Sequence, residues 1–421
     1  MEIKEALDYV NGTRWRGAEA SLRRIRELMS LLGDPQKKLR FVHIAGTNGK
    51  GSCAAMTASV LRACGYRTGL YTSPYLYRFN ERMQVNGEMI EDEALCRHIS
   101  AVRDKAEKMD EHPTEFELMT AAAMLYFLEE KCDIVVLEVG LGGRFDATNV
   151  VDTPECSIIM NIGLDHTAIL GGTVEEIAAE KAGIIKKNCP CVLYEQKKSV
   201  MDVVAERCRE LDAPLTTADF SAIEPVFDSL EGQAFQYKGA MYALPLLGSH
   251  QLRNAAVVLE AVGVLRARGW RLEDGDVEHG LYATSWPGRF ELCAEEPDFI
   301  VDGGHNPQCA ETVAENLMHY FPDKKRVLLI GVLRDKDYEK MTEILAPCAD
   351  EFVTVAPDSP RALSAEELAG VLSRFSKPVT PCASVAEAVD TAKELAGEDG
   401  MVCASGSLYL VGSVRYALGM Y

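Results

Sequence analysis

RFVHIAGTNGKGSCAAMTASVLRACG, residues 40–65, decides the fold of this 421-residue chain. RFVHIAG (40–46) reads as a short buried strand, and SCAAMTASVLRACG (52–65) as a helix closed by Gly65. Between them lies Gly46-Thr47-Asn48-Gly49-Lys50-Gly51-Ser52. Glycines let backbone N–H groups close around phosphate oxygens, and a helix N-terminus adds partial positive charge. Lys50 is placed to reach terminal phosphates and Ser52 to ligate magnesium. The loop departs from the strict GxxxxGK[ST] pattern. Ile44 holds the first glycine position, and Gly51 separates Lys50 from Ser52. A glycine-rich turn without a ligand is the competing reading; the lysine, the serine and the flanking elements favour phosphate.

Outward from this loop, apolar runs alternate with helical patterns. YRTGLYTSP (66–74) is a second strand, followed by a helix around 92–109. Thr114 and Glu117 form a capping box that opens FELMTAAAMLYFLEE. DIVVLEVG (133–140) and CSIIMNIG (156–163) are near-continuous apolar runs, as in central parallel strands. Thr173 and Glu176 make another capping box before EEIAAEKAGIIK, and CVLYE (191–195) is one more strand. Residues 216–247 change to short alternating segments, read as a small antiparallel patch. HQLRNAAVVLEAVGVLRARG is a helix, and TSWPGRF (284–290) marks a hinge. DFIVDGG, RVLLIGVL, EFVTVAP and MVCASG then give a second βα series. The alternation predicts an α/β protein with parallel sheets and helices on both faces.

Composition narrows the class. Hydrophobic residues make up 47%, enough for real cores. No apolar run reaches the roughly 18 residues of a membrane span. The N-terminal MEIKEALDYV lacks the basic start and apolar middle of a signal peptide. A cytoplasmic protein is expected. Thirteen cysteines are scattered without a CxxC pair, and read as small buried hydrophobes. The formal net charge of −20 excludes a basic nucleic-acid footprint. Anionic substrates must therefore be held by local cations and helix N-termini. Neither a nucleic-acid nor a membrane partner is expected.

Several further positions carry candidate chemistry. Glu138 ends an apolar strand, where ligands bind in open α/β sheets, and the glycines of LGGRFDATN follow it. Asp165 and His166 follow another strand end, and read equally as a metal or proton-transfer pair or as a cap beside a loop histidine. Lys181 lies in an alanine-rich helix; by itself it reads as a snorkelling lysine, the alternative being a buried amine of depressed pKa. Asp302, His305 and Asn306 follow a strand that ends in two glycines, in competition with a capped turn. Arg289 follows Pro-Gly at the hinge and reads as a phosphate contact or a surface arginine.

GTNGKGS, TSPYLYRFNERMQVNG, TEFE, LEVGLGGRFDATN, IGLDHTAILG, EIAAEKAGIIK, HQLRNAAV, WPGRFE, VDGGHNP and GVLRDKD occur in one order. Together they resemble folylpolyglutamate synthase and the bifunctional dihydrofolate synthase of the Mur ligase superfamily. The resemblance runs from about residue 3 to the C-terminus. It implies a P-loop-type parallel-sheet ATPase domain over 1–284 and a smaller, Rossmann-like glutamate-ligase domain over 285–421. It implies an ATP- and magnesium-dependent amide ligase, with potassium as a further candidate cation. A substrate carboxylate on folate or dihydropteroate takes the γ-phosphoryl group, and the amino group of L-glutamate attacks the acyl phosphate. By motif, Lys50 and the backbone of Gly46, Thr47, Asn48, Gly49, Gly51 and Ser52 hold the phosphates. Ser73, Glu138 and His166 match magnesium ligands, with Ser52 close by. Lys181 matches a lysine that is carbamylated in the superfamily. Asn254 and Arg289 match ATP contacts, and Asp302 and His305 match residues that orient acyl phosphate and glutamate. Closure of the C-terminal domain is expected to exclude water from the intermediate. A monomer is expected. Two positions depart from the pattern: Tyr75 stands where histidine is usual, and Gly304 where alanine is usual. The rival readings are a Mur-type ligase acting on a peptidoglycan precursor and a nucleotide-dependent switch that makes no bond. FNERMQVNG and the TEFE turn favour the folate branch over the first, and the residue-rich second domain argues against the other.

Overall fold

The computed structural model describes residues 2–13 and 20–420. Eight strands make the first sheet. They are β1 (Phe41–Ala45), β2 (Thr68–Tyr71), β3 (Met83–Val85), β4 (Glu88–Met89), β5 (Ile134–Glu138), β6 (Cys156–Ile159), β7 (Cys191–Leu193) and β8 (Leu215–Thr217). Their order is β4-β3-β2-β5-β1-β6-β7-β8. From β2 to β8 all neighbours are parallel; β3 and β4 extend one edge antiparallel. β1 and β5 are buried along their whole length, which is why their sequences are continuous apolar runs rather than alternations. Each large aliphatic side chain sealed there contributes about 1.5–3 kcal/mol. The register sets Ile44 beside Glu138 and Ala45 beside Ile159, so three strand ends meet at one edge.

The crossover helices start where their caps dictate. Helix Glu115–Glu129 opens on Thr114, whose hydroxyl accepts from the Glu117 N–H while the Glu117 carboxylate accepts from the Thr114 N–H. Helix Val174–Lys181 opens on the same reciprocal pair, Thr173 and Glu176. Helix Lys50–Ala63 begins two residues earlier than its apolar pattern suggests, because Gly49 adopts the left-handed conformation that turns the chain into it. The cysteines of the described residues are all free, and each is buried or half-buried. No helix among the described residues is long and apolar enough to cross a membrane.

Residues 223–244 form β9 (Ile223–Ser229), β10 (Gly232–Tyr237) and β11 (Ala240–Leu244), a sheet of order β11-β10-β9. The last sheet comprises β12 (Glu291–Ala294), β13 (Asp298–Asp302), β14 (Arg326–Ile330), β15 (Glu351–Thr354), β16 (Val379–Pro381) and β17 (Met401–Ser405). Its order is β12-β13-β17-β14-β15-β16, parallel except for the antiparallel edge strand β12. The chain divides into two compact units. One holds Met1–Glu224, Phe235–Ala243 and Gln251–Thr284; the other holds Pro225–Ala234, Leu244–His250 and Ser285–Tyr421. The eight-stranded sheet belongs to the first and the six-stranded sheet to the second.

Candidate active site

In the first unit the loop leaving β1 is pinned from several sides. The Thr47 and Asn48 N–H groups both donate to the Asn161 carbonyl, at 2.8 and 3.2 Å. The Thr47 hydroxyl donates to the Gly163 carbonyl at 3.1 Å. These bonds fasten the segment after β6 against the segment after β1. Two glycines are required by space. A Cβ on Gly46 would lie 2.6 Å from the Met160 Cβ, and one on Gly49 would lie 2.8 Å from the Asn254 Oδ1. Gly49 also has φ +81°, which favours glycine.

Lys50 opens the helix and turns back over the loop. Its Nζ donates to the Thr47 carbonyl at 3.3 Å and lies 4.0 Å from the Glu138 Oε1. The other carboxylate oxygen, Oε2, accepts the Ser73 N–H at 3.1 Å. Glu138 is only 4% exposed, so its charge is held in place between the strand ends. Ser52 is buried, and its hydroxyl accepts from the Gln251 Nε2 at 3.3 Å. The Gln251 Oε1 in turn accepts from the Asn254 Nδ2 at 3.0 Å. His166 caps helix Thr167–Leu170 in the left-handed region, with its N–H on the Asp165 Oδ1 at 2.9 Å. It follows the 161–166 segment, which Thr47 and Asn48 anchor at Asn161 and Gly163.

Lys181 is 4% exposed, and its Nζ donates to the Gly46 carbonyl at 2.8 Å. Burial, and then the neighbouring charge of Lys50, push its pKa down to about 7, against smaller opposing effects of Asp165 and Asp146. The glycine loop after Glu138 packs against the end of that helix. A Cβ on Gly143 would meet the Glu180 and Lys181 carbonyls at 2.7 and 2.8 Å. The buried carboxylate of Asp146 ties this loop down, accepting from Leu141 N, Thr148 N and the Thr148 hydroxyl.

In the second unit, β13 ends on Asp302. Its carboxylate accepts the Phe290 N–H at 2.9 Å and the Gly304 N–H at 2.7 Å. Burial raises its pKa, while the Arg289 charge and these N–H groups oppose the rise. The Arg289 Nη1 donates to the Gly288 carbonyl at 3.2 Å and borders Gly303, where a Cβ would come within 2.5 Å of it. The His305 Nδ1 lies 3.2 Å from the Gly303 carbonyl. Asn306 caps helix Pro307–Tyr320 by accepting from Cys309 N at 2.9 Å. Asn306 thus performs the capped-turn role, while Arg289, Asp302 and His305 gather at one strand end.

The first unit thus brings together Gly46–Ser52, Ser73, Glu138, Lys181 and Asn254, with the His166 loop alongside. Gln251 and Asp146 were not singled out from the sequence. A signal existed for both: Gln251 lies one helical turn before Asn254 in HQLRN, and Asp146 lies in the glycine loop after Glu138. The donors fit magnesium in part. One buried carboxylate and two serine hydroxyls are the hard oxygen ligands it prefers, and His166 is the softer exception. Among the described residues no three His, Cys, Asp or Glu side chains converge, so a magnesium ion here would complete its shell with water and phosphate.

Residues 44–262 match the Mur ligase middle domain, and residues 288–408 match the Mur ligase glutamate ligase domain. The chain is 37% identical over 429 aligned residues to the dihydrofolate synthase/folylpolyglutamate synthase of Bacillus subtilis, covering 99% of both proteins. Among solved structures, the Mycobacterium tuberculosis folylpolyglutamate synthase complexed with ADP and AMPPCP superposes with a TM-score of 0.91 at 31% identity. That match covers 100% of this chain and 98% of the other. Escherichia coli FolC in complex with DHPP and ADP gives a TM-score of 0.89 at 30% identity over 100% and 98% of the two chains. Full-length likeness in sequence and structure, together with both domain matches, leads to one conclusion: the chain belongs to the folylpolyglutamate synthase/dihydrofolate synthase family of Mur-type ligases.

Proposed function

We infer that the chain is an ATP-dependent ligase that joins L-glutamate to a folate-type carboxylate. The observation that carries this is the 37% identity to a bifunctional relative across 99% of both chains. The phosphate loop at the end of β1, with Lys50 beside Glu138, agrees with it.

The roles proposed for the residues are these. The N–H groups that open helix Lys50–Ala63 and the Lys50 side chain hold the β- and γ-phosphates, while the Thr47 and Asn48 N–H groups stay on the Asn161 carbonyl; Lys50 stabilises charge on the phosphoryl group as it moves. The acceptor carboxylate oxygen attacks the γ-phosphorus and ADP departs. The amine of glutamate then attacks the acyl carbon, loses a proton, and the tetrahedral intermediate expels phosphate. Ser73, Glu138, Ser52 and His166 are the residues that would hold magnesium; when bound, it screens the phosphate charge. A carboxylate is a poor acylating agent, so phosphorylation is what makes the amide bond accessible.

Lys181 is the site proposed for carbamylation. Its depressed pKa leaves much of it as a neutral amine near pH 7, and a neutral amine can add to carbon dioxide, releasing one proton. The carbamate would set a negative charge between the loop and Asp165. In the second unit, Arg289 offers a cation for phosphate, and Asp302 and His305 offer groups for the amino acid. Asn254, held by Gln251, lies against the loop as an ATP contact. A cytoplasmic, monomeric enzyme is the simplest form of this reading.

Product analysis tests the function. The chain is incubated with ATP and glutamate, and separately with dihydropteroate or tetrahydrofolate. A mass increase of one glutamyl residue on either acceptor, with ADP formed in step, is expected. ATP hydrolysis that is indifferent to both acceptors would sink the reading and favour a nucleotide-dependent switch.

A further inference from the structure

One buried charge has no part in the site described so far. Arg82 is only 9% exposed, and its Nε is sealed from solvent without a hydrogen-bond partner. Among the described residues no carboxylate forms an ion pair with its guanidinium. Two aromatic rings hold it instead. Its Cζ lies 5.1 Å from the centroid of Tyr75 and 5.4 Å from that of Phe79. Glu115 is near enough to feel its charge, yet remains a half-buried acid whose own pKa is raised by desolvation. Cation–π contact offsets part of the desolvation of a buried guanidinium, but it does not replace a counter-anion. A charge held this way favours an anionic ligand.

Its position says which ligand. The Arg82 carbonyl accepts the Thr72 N–H, so Arg82 borders the outgoing end of β2. The next residue after Thr72, Ser73, donates to the Glu138 Oε2, while Lys50 approaches the Glu138 Oε1. β3, β2, β5 and β1 are successive neighbours. Arg82 therefore lies about three strand spacings, roughly 14 Å, along the sheet edge from the phosphate loop. Lys50 reaches across to β5, and Arg82 packs on the segment that leaves β2. Two cations thus flank adjacent strand ends, one on the phosphate side and one on the acceptor side. The carboxylate that becomes an acyl phosphate belongs beside Lys50. A carboxylate that stays ionised through the reaction suits Arg82, whose planar fork matches it.

We propose that Arg82, packed against the paired rings of Tyr75 and Phe79, is a specificity subsite for the non-reacting carboxylate of a glutamyl-bearing acceptor. This rests on the ligase reading above. It separates the two acceptors chemically. Tetrahydrofolate carries a second carboxylate beside the reacting one; dihydropteroate carries only the carboxylate that is consumed. Tyr75, which departs from the histidine usual in this family, supplies one of the two rings beside the guanidinium.

The test is steady-state kinetics of the full chain, wild type, Arg82→Met and Arg82→Lys, with saturating ATP and glutamate and each acceptor in turn. Arg82→Met should lower the ratio of kcat/KM for tetrahydrofolate over dihydropteroate by tenfold or more, through KM for tetrahydrofolate, with KM for ATP within twofold of wild type. Arg82→Lys should fall between, because it keeps the charge but loses the fork. A purely structural role would depress both acceptors together, and an unchanged ratio in both variants overturns the proposal. So does a wild type that accepts dihydropteroate alone. A wild type that ligates glutamate to neither acceptor overturns the functional reading itself.

Discussion

The Lys181 ammonium donates to the Gly46 carbonyl at 2.8 Å, joining residues 135 apart in sequence. The contact ties the end of helix Val174–Lys181 to the first residue of the phosphate loop. A lysine sealed at 4% exposure beside Lys50 is a poor place for a second positive charge, and its pKa falls to about 7.

Carbamylation of Lys181 should follow the neutral amine. The fraction of neutral amine rises with pH through about 7, so carbamate should accumulate between mildly acidic and mildly alkaline conditions. With 13C-labelled bicarbonate, a carbamate resonance is expected in wild type and absent in Lys181→Ala. Its absence from wild type at every pH would remove the proposal. Linkage supplies an independent check without bicarbonate. The folded pKa lies below the unfolded value of 10.5, so the unfolded chain binds more protons between about pH 7 and 10.5. Lys181 therefore makes stability rise with pH across that window. Lys181→Met should flatten that part of the urea-midpoint profile.

Lys50→Ala tests the γ-phosphate role proposed for this lysine. Its side chain is 18% exposed and makes only a 3.3 Å bond to Thr47 and a 4.0 Å approach to Glu138, so folding should survive. Loss of a single positioned donor to a developing charge lowers kcat by roughly 10²–10³. That loss should appear in glutamate ligation, with a melting temperature close to wild type. An equal loss of stability and activity would argue for a structural lysine.

Much of this arrangement was legible in advance, and the reasons are local. FVHIA, IVVLE and CSII are apolar without alternation because helices cover both faces of the sheet, and such runs announce central parallel strands. The pairs Thr114/Glu117 and Thr173/Glu176 declare helix starts because three-residue spacing alone lets each side chain reach the other's N–H. Arg82 escaped notice because nothing local marks it, and Gln251, one turn before Asn254, because its partner is remote. Gln251 matters through Ser52, 199 residues away. Arg82 is buried by rings that only the folded turn brings together. β3 and β4, with three and two residues, were too short for any period to show. The interleaved division of residues 225–250 between two units is likewise a matter of long-range packing.

Glu138→Gln keeps the shape of the site but halves its capacity as a ligand. The amide can still accept from Ser73 N, while the partner group becomes a donor facing Lys50. If Glu138 is a magnesium ligand as proposed, removal of its buried charge should raise the magnesium concentration needed for half-maximal activity, on the order of 10–100-fold, the range seen for disturbed metal shells. Titrating magnesium at fixed ATP measures this. An unchanged magnesium requirement would take Glu138 out of the metal site.

Asp302→Asn tests the strand end in the second unit. One carboxylate accepts two backbone N–H groups, from Phe290 and Gly304. An amide accepts one and presents a donor to the other, leaving a buried N–H unmatched at a cost of about 1–3 kcal/mol. Denaturation should show that loss, and ligation should fall with it. If stability were unchanged, the two N–H bonds would not be what holds the Arg289 turn in place.

Gly49→Ala asks whether loop geometry, rather than charge, limits phosphate binding. Two penalties combine at this position. The left-handed φ of +81° is unfavourable for alanine by roughly 1–2 kcal/mol. The added methyl would also sit 2.8 Å from the Asn254 Oδ1 and 3.2 Å from the Met160 Cε, an overpacking of about 1–3 kcal/mol. Asn254 cannot yield freely, because its amide is bonded to Gln251, which is bonded to Ser52. The variant should therefore bind ATP at least tenfold more weakly even with Lys50 intact. Pairing it with Asn254→Ala separates the two penalties: removing the amide relieves the clash but leaves the backbone strain. A double-mutant cycle on stability should show partial recovery, a coupling between the two sites of the kind expected for residues in contact. Full additivity would mean the methyl finds room without Asn254 moving, and the backbone angle alone would then account for the glycine.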